Sequence, residues 1–323
     1  MIALAARNLS KQFDQLTAVD QVSFEVKKGE IFGFLGPNGA GKTTTINMLT
    51  GLARPSSGEM EIAGQAVGRN IKRVQHMLGI VPDESNLYDE LSGYDNLCFC
   101  AALYGMGKKE RQARAKELLN QFGLAQAANR KFKAFSKGMK RKLTIAAGII
   151  HYPEILFLDE PTTGIDVASA RQIRQLITTL NKKGTTIFLT THYIEEAERL
   201  CHRIAFIVGG KIVRCGPVEQ LMSDVQDQQI MELRIERCNP DLPQKLMTLV
   251  PDSQAELTGE GVIRLYSPLP LPLAEIFNAV DKSKGELLEA RRIRPSLEEV
   301  FVQVTGIEKE KMTENNIGGR KKK

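Results

Sequence analysis

An eight-residue segment near the start of the chain constrains its fold most. It matches the phosphate-binding pattern GxxxxGK[ST] and consists of Gly36, Pro37, Asn38, Gly39, Ala40, Gly41, Lys42 and Thr43. The segment follows a short apolar run at Glu30–Leu35 and precedes a helical pattern at Lys42–Leu52. Glycines let backbone N–H groups turn towards phosphate oxygens, and the helix adds its positive amino end. An ordinary glycine-rich turn is the alternative, but the strand–loop–helix context favours a phosphate site. There Lys42 would reach the β- and γ-phosphates and Thr43 would bind magnesium.

The rest of the amino-terminal part has the pattern of an α/β protein. Residues 1–65 indicate strands joined by turns, and about 85–145 indicate helices, among them the amphipathic segment Lys108–Phe122. Continuous apolar runs predict strands buried on both faces, at Ile155–Leu158, Ile187–Leu189 and Ile204–Val208. An amphipathic helix is predicted over 168–182. Strands that alternate with helices favour a mainly parallel sheet with crossover helices.

The pattern changes past about residue 225. We expect strands at 229–236, 253–258, 261–266 and 285–292 and helices at 241–249, 271–281 and 296–304. This order resembles a split βαββαβ unit, a small α+β domain. The last residues contain few apolar side chains, which is typical of disorder. The predicted division is therefore 1–224 with a helical subdomain at about 85–145, an accessory domain at 225–306, and a disordered basic tail at 307–323.

Charge, cysteine content and hydropathy indicate the class of protein. The net charge is +6, but Arg320 to Lys323 supply four of these charges, so the remainder carries only +2. The five cysteines form no CxxC pair, which favours reduced thiols over disulfides or a zinc site. No run approaches the roughly 18 apolar residues that span a bilayer, and the first residues lack the pattern of a secretory signal. We expect a cytosolic protein that reaches a membrane only through a partner.

A strand that ends in two carboxylates is the second candidate for chemistry. The run Ile155–Leu158 leads directly into Asp159 and Glu160. Beside a phosphate loop, Asp159 would hold the magnesium shell and Glu160 would polarise or deprotonate the attacking water. Alone the signal is weak, because strands commonly end in acidic residues and such residues often only cap a helix.

A third candidate is the segment Phe135–Leu143. It contains Ser136 and Gly138, followed by the basic run Lys140–Lys142. A serine, a glycine and a basic helical turn can present a hydroxyl, backbone N–H groups and a helix amino end to an anion. A plain helix N-cap is the alternative.

Together these elements resemble the ATP-binding subunit of an ATP-binding cassette (ABC) transporter over roughly residues 2–222. The resemblance implies a P-loop ABC ATPase fold, ATP and Mg²⁺ as cofactors, and ATP hydrolysis that powers a separate membrane permease. The form of the signature at Ser136–Lys142, and the segment Arg294–Phe301, resemble the ABC-2 exporter group, which is related to drug-resistance ATPases.

The resemblance also implies residue roles. Ser136 and Gly138 lie at the family's signature, and Asp166 lies at the D-loop, which crosses the dimer interface. His192 lies at the switch histidine, which hydrogen-bonds the γ-phosphate. It follows a predicted buried strand, where ligands bind in open α/β sheets. Phe13 lies at the aromatic position that stacks on adenine, and Thr44 lies in the nucleotide site. A structural role for His192, and strand-edge packing for Phe13, are the alternatives.

Two regions depart from the family pattern. Lys137 and Met139 occupy positions where the signature usually has glycine and glutamine. Lys137 adds a side chain where the γ-phosphate of the partner subunit's nucleotide would lie. Asp83, counted from Gly79–Pro82, replaces the Q-loop glutamine. An aspartate is shorter and charged, but its oxygens can still bind magnesium.

The assembly implied by the resemblance is a head-to-tail homodimer on the inner face of the membrane. Each ATP would lie between the Lys42 loop of one subunit and the Ser136 signature of the other, and closure would expel water. One alternative is a related ATPase that acts on nucleic acid or the ribosome. Such relatives have two cassettes or a long coiled coil, whereas here Lys42 and Asp159 are 117 residues apart without sustained heptads. We therefore expect no nucleic-acid partner. An importer ATPase is the other alternative.

Large apolar residues follow the Q-loop position. They are Leu87, Tyr88, Leu91, Tyr94, Leu97 and Phe99. We expect Leu91, Leu97 and Phe99 in the core of the helical region. We expect the others nearer the surface, where exposed apolar clusters and tyrosines mark interfaces. In the family, this region receives a short helix of the permease.

Overall fold

The chain forms two compact units, Met1–Pro217 and Val218–Gly306. The computed structural model describes residues 1–67, 71–226, 229–259, 261–283, 285–293 and 296–306. The predicted tail at 307–323 and the pair Arg294–Pro295 lie outside the described residues. The second unit begins at Val218, before the predicted start at 225, because helix Val218–Gln226 packs against the last helix of that unit. Within the described ranges, no helix has the length and apolar character needed to cross a bilayer.

The elements of the first unit follow one another along the chain as strands and helices. The strands are β1 (Ile2–Phe13), β2 (Leu16–Lys27), β3 (Ile31–Leu35), β4 (Ser57–Ile62), β5 (Gln65–Ala66), β6 (Leu78–Val81), β7 (Ile155–Asp159), β8 (Thr186–Thr191), β9 (Arg203–Val208) and β10 (Lys211–Pro217). The helices are α1 (Lys42–Leu49), α2 (Gly93–Leu103), α3 (Lys108–Gln121), α4 (Lys137–Gly148), α5 (Val167–Lys182) and α6 (Ile194–Leu200).

A mixed six-stranded sheet forms the centre of this unit. Its order is β10-β9-β3-β8-β7-β6, in which β9, β3, β8, β7 and β6 are parallel and β10 is antiparallel to β9. The predicted sheet with crossover helices is confirmed, and the three predicted apolar strands lie in β7, β8 and β9. Because parallel strands run in one direction, the residues that follow β3, β7 and β8 meet at one edge of the sheet.

An aromatic cluster fixes this sheet against a second, antiparallel sheet of order β2-β1-β4-β5. Phe24 of β2 stacks on Phe32 of β3 at a ring-centre distance of 5.5 Å and lies 5.8 Å from Phe188 of β8. Phe157 of β7 lies 5.6 Å from Phe188. Burial of each such ring contributes about 1.5–3 kcal/mol, so the cluster holds the strands in fixed relative positions.

The predicted helical region contains α2, α3 and α4. Leu118, Leu119 and Phe122 are buried on the apolar side of α3, as predicted. In α2, Leu97 is fully buried, but Phe99 is 39% exposed, so its predicted place in the core is wrong. Residues two apart on a helix do not share a face, and Leu97 occupies the buried one.

The second unit has the predicted split βαββαβ order. Its elements are α7 (Val218–Gln226), β11 (Gln229–Glu236), α8 (Leu242–Leu249), β12 (Gln254–Gly259), β13 (Val262–Ser267), α9 (Leu273–Lys282), β14 (Glu286–Ile293) and α10 (Leu297–Thr305). The antiparallel sheet has the order β12-β13-β11-β14. Alternate residues of β11 and β13 pack against α8 and α9 in a separate apolar core.

Candidate functional site

The segment Gly36–Gly41 joins the end of β3 to the start of α1. A Cβ at Gly36 would lie 2.1 Å from the carbonyl oxygen of Ile207, so no larger residue fits there. Gly41 has φ 102°, which favours glycine, and its Cβ would lie 2.5 Å from the carbonyl oxygen of Ala18. The Gly210 N–H donates to the Ala40 carbonyl at 3.1 Å. The loop is thus held from β2 and from the β9–β10 turn, and α1 begins immediately after it.

Lys42 lies at the centre of the site and is buried. Its Nζ donates to the carbonyl oxygens of Gly36 at 2.7 Å and Pro37 at 3.1 Å. The same Nζ lies 3.2 Å from Oε1 of Glu160. The ammonium group therefore connects the loop after β3 with the residue after β7.

Two hydroxyl groups hold the buried carboxylate of Asp159. Thr43 Oγ1 donates to its Oδ2 at 2.8 Å, and Thr190 Oγ1 donates to its Oδ1. Asp159 is the last residue of β7, and Thr190 lies in the neighbouring strand β8. The predicted pair Asp159 and Thr43 is therefore in contact, and Thr190, which the sequence analysis missed, completes the group.

Glu160 has a left-handed backbone, with φ 48°. This conformation costs a residue other than glycine about 1–2 kcal/mol, and neighbouring hydrogen bonds hold it. The Glu160 N–H donates to the Thr190 carbonyl at 3.1 Å, and Thr163 Oγ1 donates to Glu160 Oε2 at 3.0 Å. The turn directs the carboxylate of Glu160 towards Lys42 and His192.

His192 follows β8 and is buried beside Glu160. Its Nδ1 lies 2.9 Å from Glu160 Oε2, and Nδ1 is the donor of this hydrogen bond because a carboxylate oxygen only accepts. Burial alone would raise the pKa of the Glu160 carboxyl, but His192 and Lys42 outweigh burial and lower that pKa below its ordinary value. Glu160 is therefore ionised at neutral pH and can accept a proton.

Ser136, Gly138 and Asp166 form a second cluster at the amino ends of α4 and α5. Ser136 caps α4, where its Oγ accepts from the Met139 N–H at 3.2 Å. Asp166 caps α5, where its Oδ1 accepts from the Ser169 N–H at 2.8 Å. Hydrogen bonds from the side chain and then the backbone of Ser169 lower the pKa of Asp166. A Cβ at Gly138 would lie 2.3 Å from Ser169 Oγ, so the two helix ends are in close contact. Ser136 and Asp166 therefore act as helix caps within the chain.

Phe13 is the last residue of β1, and Asp83 lies two residues after the end of β6. Phe13 is half exposed at the end of β1, paired with Leu16 across the hairpin, with Lys11 Nζ 4.7 Å from its ring centre. Asp83 follows β6 and is exposed. Partial burial raises the pKa of Asp83, Arg141 opposes this, and the charges of Asp159 and Glu160 raise it further. Asp83 is therefore electrostatically coupled to the carboxylates of the site.

Arg141 is a site residue that the sequence analysis did not single out. It lies on α4, and it is only 7% exposed. Its guanidinium donates to four backbone carbonyls on two segments, one after β6 and one at the end of β7. Nε donates to Pro161 at 3.0 Å, Nη1 to Asp83 at 3.0 Å and to Pro82, and Nη2 to Asp159. The sequence did contain one signal for Arg141. Its spacing from Gly138 and Ile145 places this cation on the same, buried face of the helix.

Three comparisons with known proteins agree with this geometry. The family model described as ABC transporter matches residues 19–163. The chain is 36% identical to the linearmycin resistance ATP-binding protein LnrL of Bacillus subtilis, over 94% of this chain and 98% of that protein. This chain belongs to the ABC transporter family. A second relative, the Nod factor export ATP-binding protein I of Burkholderia thailandensis, is 35% identical over 94% of this chain and 96% of its own length.

A solved structure extends the comparison to a ligand-bound state. The ATP-binding cassette MJ0796, described as dimeric and bound to ADP and Pi after hydrolysis, matches with a TM-score of 0.62 and 27% identity. The match covers 67% of this chain and 98% of that one, whereas the match to LnrL spans 94% of this chain. The chain is thus an ATP-binding subunit and an ATPase of the ABC family, of the type that powers a separate permease.

Proposed function

We propose that the residues clustered around Lys42 bind ATP and hydrolyse its γ-phosphate. One observation supports this most directly: the Glu160 carboxylate lies 3.2 Å from Lys42 Nζ and 2.9 Å from His192 Nδ1, at the edge where β3, β7 and β8 end. Lys42 and the backbone of the loop to Thr44 bind the phosphates, and Glu160, ionised at neutral pH, accepts a proton from the attacking water. His192 orients Glu160 through Nδ1 and, with a proton on both ring nitrogens, donates to the γ-phosphate through Nε2.

The residues present fit a magnesium ion. The side-chain oxygens of Thr43 and Asp159 lie 2.8 Å apart beside the phosphate loop. Hydroxyl and carboxylate oxygens are the ligands that Mg²⁺ prefers, and it commonly takes only one or two protein ligands beside the phosphates of its substrate. No larger group of His, Cys, Asp and Glu side chains suited to a metal occurs among the residues described. Bound there, Mg²⁺ neutralises phosphate charge. Asp83 provides a further oxygen for this ion. Phe13 provides an aromatic ring that stacks on adenine.

The second cluster serves the nucleotide of a partner subunit in a head-to-tail dimer. Ser136, Gly138 and Asp166 lie together at two helix amino ends, which favour an anion. The contacts of Ser136 and Gly138 are with α4 and α5, whereas those of Lys42 are with its own loop and Glu160. In the proposed dimer, a nucleotide meets the Lys42 cluster of one subunit and the Ser136 cluster of the other.

Complementation between two inactive variants tests this arrangement. Lys42→Ala removes the phosphate contact, and Ser136→Arg blocks the signature. In a mixed dimer, one site contains both changes and the other contains neither. We expect each variant alone to lose turnover and the mixture to regain part of it. Proven mixed dimers without recovered hydrolysis would show that the sites are not shared between subunits.

The helical region provides the docking surface for an exporter permease. Tyr88 is 56% exposed and forms an edge-to-face pair with Phe99 at 5.2 Å. Leu103, one helical turn beyond Phe99, is also exposed. Buried Asn96 fixes the loop, since its side chain accepts from the Tyr88 N–H at 2.9 Å and donates to the Tyr88 carbonyl at 3.0 Å. A rigid exposed apolar surface of this kind is typical of a binding site.

The names of the relatives support export. The chain would then lie at the cytoplasmic face of the membrane, bound to the permease. Tyr88→Glu or Leu87→Glu should release the chain from membranes that contain the permease while ATP binding persists. Leu52→Glu, at an exposed leucine after α1, is the matched control. Fractionation and thermal melts of each variant separate the outcomes. Unchanged membrane association would exclude docking here, and a large fall in melting temperature would instead indicate a core role.

A further inference from the structure

Arg141 connects the residues that serve the two nucleotides of the proposed dimer. It lies on α4, one helical turn after Gly138, and therefore moves with the signature end of that helix. Its guanidinium reaches across to the ends of β6 and β7, where it binds the carbonyls of Asp83, Asp159 and Pro161. Those segments hold the groups that act on the subunit's own ATP.

The chemistry of the arginine makes this connection specific. A planar guanidinium has five N–H donors in a fixed geometry, and here they reach four backbone carbonyls, the fourth being that of Pro82. Lysine has a single ammonium with three N–H donors on a flexible stem and cannot bind all four carbonyls at once. A buried guanidinium that is bonded on all sides restricts the relative positions of the segments it bonds.

The surrounding charges also require this cation. Burial lowers the pKa of Arg141, and the carboxylates of Asp83, Asp159, Glu196 and Glu160 oppose that effect. Arg141 therefore offsets part of the negative charge that collects at this edge of the sheet, together with Lys42. Its removal would change both the positions and the charge balance of the catalytic groups.

We propose that Arg141 is a positioning residue that couples the two nucleotide sites of the dimer. The signature end of α4 acts on the partner's ATP, while Asp159 and Glu160 act on the subunit's own ATP. Because Arg141 lies on α4 and binds the carbonyls of Asp159 and Pro161 on either side of Glu160 in the chain, closure of the signature over one nucleotide alters the catalytic groups at the other. The inference rests on the proposed shared sites.

A mixed dimer with one working site tests the coupling. One subunit combines Glu160→Gln with Arg141→Met, and the other subunit is unchanged. The working site then takes its catalytic core from the unchanged subunit and only its signature from the variant subunit. The reference dimer has Glu160→Gln alone in the first subunit. Two different affinity tags isolate the mixed dimers, and single-turnover hydrolysis of ATP is measured.

We expect hydrolysis at the working site to fall about tenfold or more, because small displacements of positioning groups have effects of this size. Arg141→Lys should not restore the rate, and it replaces Arg141→Met if that variant does not fold. Arg203→Met, at a half-buried arginine bonded to Glu25 and Glu30 at the start of β9, controls for general loss of stability and should leave the rate unchanged.

Equal rates in the variant and reference dimers would overturn the coupling and limit Arg141 to its own subunit. A third dimer, with Ser136→Arg in place of Arg141→Met, tests the shared site separately. If Ser136→Arg also leaves the rate unchanged, the shared site itself is wrong. If Ser136→Arg stops hydrolysis but Arg141→Met does not, only the coupling is wrong.

Discussion

The two units of the chain use buried charge in opposite ways. In the first unit, Lys42, Arg141, Asp159 and Glu160 are buried together at one edge of the parallel sheet. In the second unit, charged groups pair off locally. Glu232 binds Arg264 and Arg291 across neighbouring strands, and buried Glu299 accepts from Ser296 at the start of α10. The first arrangement gathers the charged groups at the proposed nucleotide site, whereas the second satisfies each charge within the fold. We therefore expect substitutions in the first unit to alter turnover and those in the second to alter stability.

The strongest test of this contrast is Glu160→Gln. Loss of a positioned base removes about 10²–10⁴-fold of rate, while the amide keeps the shape of the side chain and nucleotide binding should persist. Glu154→Gln, just before the other end of β7 in an exposed ion pair with Lys28, is the control. Steady-state hydrolysis and Mg-ATP binding are measured for both. A Glu160→Gln rate within a few-fold of the parent would remove Glu160 from the role of base.

The matching test in the second unit is Leu246→Ala. Leu246 is fully buried on α8, and Leu249 on the same helix is 41% exposed. Deleting a buried leucine lowers the free energy of unfolding by about 2–5 kcal/mol, so Leu246→Ala should shift denaturation strongly and Leu249→Ala little. The turnover number of folded protein should stay within about twofold. A fall in turnover comparable to that of Glu160→Gln would break the contrast between the units.

Thr190→Val tests whether positioning in the first unit depends on single hydroxyl groups. The hydroxyl donates to Asp159 and accepts from the Glu160 N–H at 3.2 Å. Loss of one interaction worth about 1.4 kcal/mol in the transition state slows hydrolysis about tenfold. Thr190→Ser keeps the hydroxyl and should recover most of the rate. If the serine variant is as slow as the valine variant, the hydroxyl alone does not set the position, because serine keeps the hydroxyl and lacks only the methyl group.

The smallest expected effect is the pH dependence of the Glu232 pairs. Partial burial would raise the pKa of Glu232, but Arg264 and Arg291 outweigh it and lower that pKa below its ordinary value of 4.5. A carboxyl whose pKa is lowered in the folded state stabilises the fold at pH values above its unfolded-state pKa. That stabilisation is lost as the pH falls through the folded-state pKa. Glu232→Gln should therefore cost about 1 kcal/mol or less at neutral pH, and the difference from the parent should vanish in acid. A difference that grows in acid would contradict the sign.

The sequence was enough to predict the strand–loop–helix arrangement of β3 and α1, the carboxylates at the end of β7 and the order of elements in the second unit. In each case the signal is local, since a short motif or a hydrophobic period lies within one element. Arg141 could not be identified in the same way, because its partners are backbone carbonyls, which every residue type supplies. Thr190 lies inside an apolar strand, where a β-branched residue needs no functional explanation.

The left-handed backbone at Glu160 has a consequence for how this position can evolve. Glycine would relieve most of the roughly 1–2 kcal/mol conformational penalty, partly offset by its greater entropy loss on folding, but it would remove the carboxylate. β-Branched residues fit neither requirement. Selection for a more stable fold and selection for faster turnover therefore favour different amino acids at the same residue. A saturation library at position 160, sorted separately for folding and for hydrolysis, would be enriched in a different amino acid in each sort.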